Sequence, residues 1–273
     1  MKKIILIIIL VALGLGFLYC VYSIGAYFWE SSQAQQVFDD LAQIVEQAKP
    51  TEPPTDGGET QTPTEPPSPY VDVINSKTGE KVQVLREYAE IYEKNSDLVG
   101  WLKIEGTSIN YPVMQTPDRP DYYLTRDFYG NSSSHGCLYA QENCDVLTPG
   151  DNIVIYGHNM KDGSMFAGIF GYIYPEFWEE HRYITFDTIT EHRTYEVFVL
   201  FDTTASKDEG FAYHTFTNAS GEEEFNWFVD NCRALAYRKS DIPVAYGDSF
   251  ICLSTCEYSQ ANGRLVLVAK LVK

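Results

Sequence analysis

In the stretch LSTCEYSQANGRLVLV, residues 253–268, a cysteine closes one alternating apolar run and an arginine opens the next. Asn262 and Gly263 signal a turn between them, and the flanks read as strands. With Glu257 to Gly263 as the loop, Cys256 and Arg264 face each other across a hairpin, their Cβ atoms about 5 Å apart. A guanidinium beside a sulfur lowers the thiol pKa. It also donates hydrogen bonds to the oxyanion formed when that sulfur attacks a carbonyl carbon. Spacing alone leaves a plainer alternative open, a core cysteine beside a surface arginine.

A nucleophilic cysteine needs a proton-transfer partner, most often histidine. Of the five histidines, His135 lies in a polar loop, and His181, His192 and His214 have charged or loop neighbours and read as surface. His158 differs. NIVIYGHNM is an apolar strand ending in Gly157, and a glycine there permits the sharp turn that presents the ring at a strand end. A loop histidine with no task fits the same spacing. Around Cys256 the local signatures of papain-like and caspase-like proteases are absent, and the chain carries no serine nucleophile elbow and no H-E-x-x-H.

The other cysteines bound the chemistry further. Cys252 and Cys256 are four apart on one strand, about 13 Å along it, too far to bridge. Cys137 and Cys144 can pair only if their loop folds back. Cys232 sits in a helical pattern and reads as a core thiol. There is no C-x-x-C pair, so a structural zinc is not expected, and no metal or cofactor is assigned to the site.

The elements that position these residues come next. WLKIEG, INYPVMQ, GCLYA, NIVIYGH, RYITFD, TYEVFVLFD, SFICLSTC and RLVLVAKLV are short β-type runs with Gly, Pro, Asn and Asp between them. Their frequency predicts a closed or nearly closed β-barrel with helical insertions. LREYAEIYEKN gives one helix. SGEEEFNWFVDNCRALAY gives another, opened by a capping box Ser220-x-x-Glu223 and placing Phe225, Phe228, Cys232 and Leu235 on one face.

Upstream, Ile4 to Trp29 runs without a charge, long enough to cross about 30 Å of hydrocarbon as a helix. Lys2 and Lys3 precede it, which puts the N-terminus in the cytoplasm and the rest outside. A cleaved signal peptide would carry a shorter apolar core and a small-x-small site. Val37, Leu41, Ile44 and Val45 then continue at helical spacing. Pro50 to Pro69 holds seven of the thirteen prolines, a composition that makes a stiff spacer of about 60 Å. The expected division is residues 1–29 as tip and membrane anchor, 30–69 as juxtamembrane helix and Pro-rich linker, and 70–273 as the extracellular catalytic domain. Anchor and linker are expected to add nothing to the core. The net charge of −18 argues against a nucleic-acid partner.

Taken together, these residues resemble the class B sortases. The likeness is carried by NSDLVGWLKIEGTSINYPVMQ, YYLTRDFYGNSSSHGCLYA, IVIYGHNMKDGSMF, and LSTC with Arg264 eight residues after its cysteine. A helix from about Glu222 to Tyr237, before the last two strands, adds to it. The resemblance implies an eight-stranded sortase-type barrel and a membrane-anchored cysteine transpeptidase of a Gram-positive bacterium. Such an enzyme cleaves the C-terminal sorting signal of a secreted protein after Thr and joins the new carboxyl to an amine. Residue by residue, it implies Cys256 as nucleophile, His158 as general acid/base and Arg264 as oxyanion stabiliser. Ser254, Leu124 and Tyr156 fall at substrate-contacting positions. Class B members often have Asn four residues before that leucine, where this chain has Pro120, so the preferred signal is open. The acceptor implied is peptidoglycan or its precursor. The alternatives are a pilin-polymerising sortase, a catalytically idle tethered binding domain, and a plain cysteine endopeptidase without an amine acceptor.

Overall fold

The computed structural model describes residues 2–49, 68–148, 150–204, 210–259 and 261–272. It begins with α1 (Lys2–Ala48), a single helix of 47 residues. At 1.5 Å per residue this is about 70 Å long. Its first part is apolar and exposed all round, with the length and composition of a membrane span. Its outer part is amphipathic, and Phe38, Leu41 and Val45 are buried. Phe38 meets Tyr111 edge-on, ring centroids 4.9 Å apart. This corrects the expectation that nothing upstream of the linker contributes core. Helical spacing of apolar residues implies a covered face, and here the folded chain beyond residue 68 covers it. The expected spacer lies outside the described residues, except for Ser68 and Pro69.

After that gap, β1 (Tyr70–Ile74) and β2 (Lys81–Leu85) form a small antiparallel hairpin that leads into α2 (Arg86–Lys94). The barrel strands follow: β3 (Leu98–Lys103), β4 (Asn110–Met114), β5 (Leu138–Ala140) and β6 (Asn152–Tyr156). Then come α3 (Pro175–Glu180), β7 (Tyr183–Thr188) and β8 (Thr194–Thr204). α4 (Glu222–Leu235), β9 (Ala236–Lys239), β10 (Phe250–Cys256) and β11 (Gly263–Leu271) complete the chain.

The sheet order is β11-β10-β6-β5-β4-β3-β7-β8-β9, and β11 also pairs with β8. That pairing closes an eight-stranded barrel, with β9 attached outside the ring. All eight runs read from the sequence became its wall. Closure leaves no strand edge unpaired around the ring. Val154, Leu253, Leu267 and Leu200 are among the strand residues with no exposed surface.

α4 covers one side of this wall with Phe225, Phe228 and Cys232, while Leu235 is exposed. The helix stops two residues before Tyr237, because Ala236 turns extended and starts β9. Its cap also differs from the expected box. Ser220 donates from both N and Oγ to Glu224 Oε2, at 2.8 and 2.6 Å, rather than pairing with Glu223.

Candidate active site

β6 and β10 lie side by side and run parallel, with Ser254 opposite Tyr156. Their C-terminal ends therefore leave the barrel together. Gly157 N donates to Ser254 O (3.1 Å), Thr255 Oγ1 donates to Gly157 O (2.8 Å), and Asn159 Nδ2 donates to Cys256 O (3.1 Å). These bonds tie residues 157–159 alongside 254–256, which brings His158 next to the end of β10. On the other side of β10, Cys256 is paired in register with Arg264 of β11. The hairpin is closed by Glu257 N on Gly263 O at 3.0 Å, and Asn262 takes the left-handed turn position. The three residues singled out by the sequence thus meet at one rim.

Gly157 serves a different purpose from the one expected. Its φ is not left-handed. Instead, a Cβ there would lie 2.5 Å from Leu138 Cδ2 and 2.7 Å from Phe166 Cδ2. Packing, not turning, requires the glycine.

The imidazole of His158 is held from the side by Leu124, whose carbonyl oxygen is 2.7 Å from Nε2. A carbonyl only accepts, so Nε2 carries the hydrogen and Nδ1 is the basic nitrogen in the neutral ring. Gly136, at φ +58°, supports that carbonyl closely, since a Cβ at this position would lie 2.5 Å from Leu124 O.

Cys256 is half-buried. The other described cysteines of the domain are free and buried: Cys137, Cys144, Cys232 and Cys252. Burial pushes the Cys144 thiol up to about 11 and holds the other three well above the usual thiol range. Such thiols are inert at neutral pH. Among the cysteines of the described domain, Cys256 alone is open to a substrate.

Beside the rim lies a cavity of about 520 Å³ whose walls include Pro120, Leu124, Tyr139, Tyr156, Tyr213 and Arg264. Tyr156 donates to Gln141 Oε1 (2.5 Å) and Tyr139 to Asp121 Oδ1 (2.8 Å). Burial raises the phenol pKa of Tyr139 and Tyr156, and pushes Tyr213 up to about 12. These phenols are neutral hydrogen-bonding walls, not proton carriers. Ser254 lies beneath the cavity, 1% exposed, with its hydroxyl 2.6 Å from Tyr213 Oη. Tyr213, Tyr139, Gln141 and Asp121 escaped the sequence reading. They come from three segments, around Asp121, Tyr139–Gln141 and Tyr213, which only the fold brings together.

Two histidines read as surface or loop residues are in fact buried. His135 is 2% exposed, with Nε2 hydrogen-bonded to Asp162 Oδ2 at 3.0 Å. His181 is 7% exposed, with Nδ1 2.8 Å from Glu105 O. Charged neighbours in sequence do not report which partner a ring finds across the fold.

The sequence signature of the sortase domain family matches residues 102–272. The chain belongs to the sortase family. Its relatives place it in class B. Sortase B of Staphylococcus aureus is 33% identical over 203 residues, 74% of this chain and 80% of that one. Sortase B of Listeria monocytogenes is 28% identical over 265 residues, 96% of this chain and 94% of that one. The crystal structure of sortase B from Bacillus anthracis in complex with AAEK1 superposes with a TM-score of 0.69 at 29% identity, covering 90% of this chain and 99% of that one. A sortase is a cysteine transpeptidase, and this chain is assigned that reaction class. In this class B sortase the barrel closes through the β8–β11 pair, and β6 and β10 end together at the rim.

Proposed function

We propose that Cys256 is the nucleophile, His158 the general acid/base and Arg264 the oxyanion donor of a transpeptidation on sorting signals. The observation that carries this reading is the register pair Cys256–Arg264, set beside the hydrogen-bonded 157–159 segment. The Cys256 thiolate attacks the carbonyl carbon of the signal's Thr. Arg264 stabilises the resulting oxyanion. The C–N bond then breaks, and the imidazolium of His158 delivers its proton from Nδ1 to the leaving amine. The thioester retains the carbonyl's reactivity until an acceptor amine attacks it, releasing the thiolate and losing a proton to His158.

The signal peptide lies in the cavity against Leu124 and Tyr156, with Arg264 at its reactive end. Ser254 acts from below, by fixing the phenol of Tyr213. The acceptor is an amine of peptidoglycan or its precursor. The apolar part of α1 anchors the enzyme in the membrane with its N-terminus in the cytoplasm, since Lys2 and Lys3 flank the inner end. The catalytic domain, from about residue 70, then works on the outer face.

The test is mass spectrometry of the enzyme incubated with a library of Thr-containing signal peptides and candidate amines. Cleavage after Thr with the amine joined to the new carboxyl is expected. Release of the free acid alone at saturating amine would instead make the protein an endopeptidase.

A further inference from the structure

The segment that carries His158 runs from Gly157 to Phe166 and folds back on itself. Phe166 N donates to His158 O (2.9 Å), Gly163 N donates to Met160 O (3.1 Å), and Asn159 bridges Met165. Met165 has φ +55° and ψ −129°, a conformation that L residues rarely adopt. Such a backbone is strained and persists only where its surroundings hold it. Here Met165 is fully buried, and its N–H donates to Tyr111 Oη at 3.2 Å.

The tip of the segment is held separately. Asp162 accepts through Oδ1 from Ser164 N (3.0 Å) and Ser164 Oγ (2.6 Å), and through Oδ2 from the buried His135 Nε2 (3.0 Å). The hydroxyl of Ser31, in α1, donates to the same Oδ2. Burial alone would raise this carboxyl's pKa, but the bonds from His135, Ser164 and Ser31 hold it well below the usual carboxylate range.

Two fixing points of this segment, Asp162 and Met165, are reached by α1. Ser31 bonds Asp162, Glu30 Oε1 accepts from the N–H of Ser134 beside His135 (3.1 Å), and Phe38 packs edge-on against the Tyr111 ring that holds Met165. Glu30 and Ser31 directly follow the apolar run that ends at Trp29. The helix that leaves the membrane therefore grips the loop that carries the imidazole.

We propose that residues Glu30–Phe38 of α1 are a positioning element of the reaction, holding His158 in place through Asp162 and Met165. The proposal rests on the acid/base assignment of His158 made above. Asp162 and Ser31 touch no reacting atom; they act through the loop. Loss of the grip lets the imidazole wander, and misplacement of a reacting group by about 1 Å costs on the order of 100-fold in rate.

The test uses the full chain in lipid nanodiscs, with Ser31→Ala, Ser31→Thr, Asp162→Ala and Phe38→Ala. Hydrogen exchange of the amides of residues 163–166 and the separate kcat and KM for peptide cleavage are measured. Ser31→Ala and Asp162→Ala are expected to speed exchange there by about tenfold or more. They are also expected to lower kcat about 10- to 100-fold with KM within about twofold. Ser31→Thr, which keeps the hydroxyl, restores both. Unchanged exchange, or faster exchange with unchanged kcat, overturns the proposal, as does a loss confined to KM or to thermal stability. If the wild type itself turns over no peptide, the transpeptidase reading falls, and the exchange measurement still decides whether α1 grips the loop.

Discussion

Cys252 and Cys256 occupy the same face of β10, four residues apart, in two different worlds. Cys252 is fully buried in the barrel wall, opposite Val154 of β6 and Val268 of β11. Burial holds its thiol far above neutral pH. Cys256 stands where the wall ends, half-buried, opposite Arg264 and beside the His158 segment. One strand thus supplies both a core thiol and an accessible one. What separates them is the few residues by which β10 outruns the barrel, which exchanges aliphatic neighbours for a cation and an imidazole.

The sharpest way to break this comparison is to exchange the effects of the two positions. Cys256→Ala is expected to abolish cleavage and transfer while leaving the circular dichroism spectrum and melting curve unchanged. Cys252→Ala is expected to keep full activity and lose about 1–3 kcal/mol of stability in urea. Activity lost at Cys252 and kept at Cys256 would invert the account.

Arg264 sharpens the comparison at the rim. Lysine keeps the charge but not the planar fork of donors. Arg264→Lys should therefore lower kcat/KM nearly as far as Arg264→Ala, by about 10²–10³. Near-normal rates in the lysine variant would mean that only a nearby positive charge is needed.

A third test asks how far the wall extends. Removing residues 1–29 should leave a folded domain. Removing residues 1–49 strips Phe38, Leu41 and Val45 from the core. Each buried side chain of this kind contributes about 1.5–3 kcal/mol as an upper estimate. The shorter protein should melt several degrees lower and expose the ring of Tyr111. Identical melting of the two truncations would show that α1 adds no stability.

The comparison also shows what a sequence reveals. Eight alternating runs became eight barrel strands, because period-two patterning marks a wall with one face inward. The Cys256–Arg264 pair was legible because a hairpin's register follows from its loop. The β1–β2 hairpin was missed, although VDVI and KVQVL alternate around Asn75 to Gly79. β9 was read as the end of a helix, since nothing in AYRK opposes helix until Val199, Leu200 and Phe201 of β8 offer an edge. The packing of Phe38 and Leu41 was hidden for another reason. A covered helix face is visible in the spacing, but its cover is not. For the same reason His135 looked like a loop residue, when its partner Asp162 lies 27 residues away.

The smallest effect belongs to His192, far from the rim. Its Nδ1 is 2.9 Å from Asp187 Oδ2 and its Nε2 is 3.2 Å from Glu87 Oε1, which ties α2 to the turn between β7 and β8. Hydrogen bonds to Asp187 and Glu87 push its pKa from 6.5 up to about 10. A raised folded-state pKa gives stability that is full below pH 6.5 and lost as pH rises through 10. The ring is 61% exposed, so the effect is small. Wild type should lose its margin over His192→Gln in melting temperature between those two pH values. A margin that grows with pH would contradict the ion-pair assignment.

The central claim is that peptide is held covalently on Cys256 before an amine takes it. The direct measurement is to quench the enzyme with acid shortly after mixing it with a signal peptide, without added amine, and to map the acylated residue by mass spectrometry. The account predicts an acyl fragment ending in Thr on the peptide that contains Cys256, discharged on adding amine and absent from Cys256→Ala. An acyl group on any other residue, or cleavage after Thr by Cys256→Ala, would contradict it.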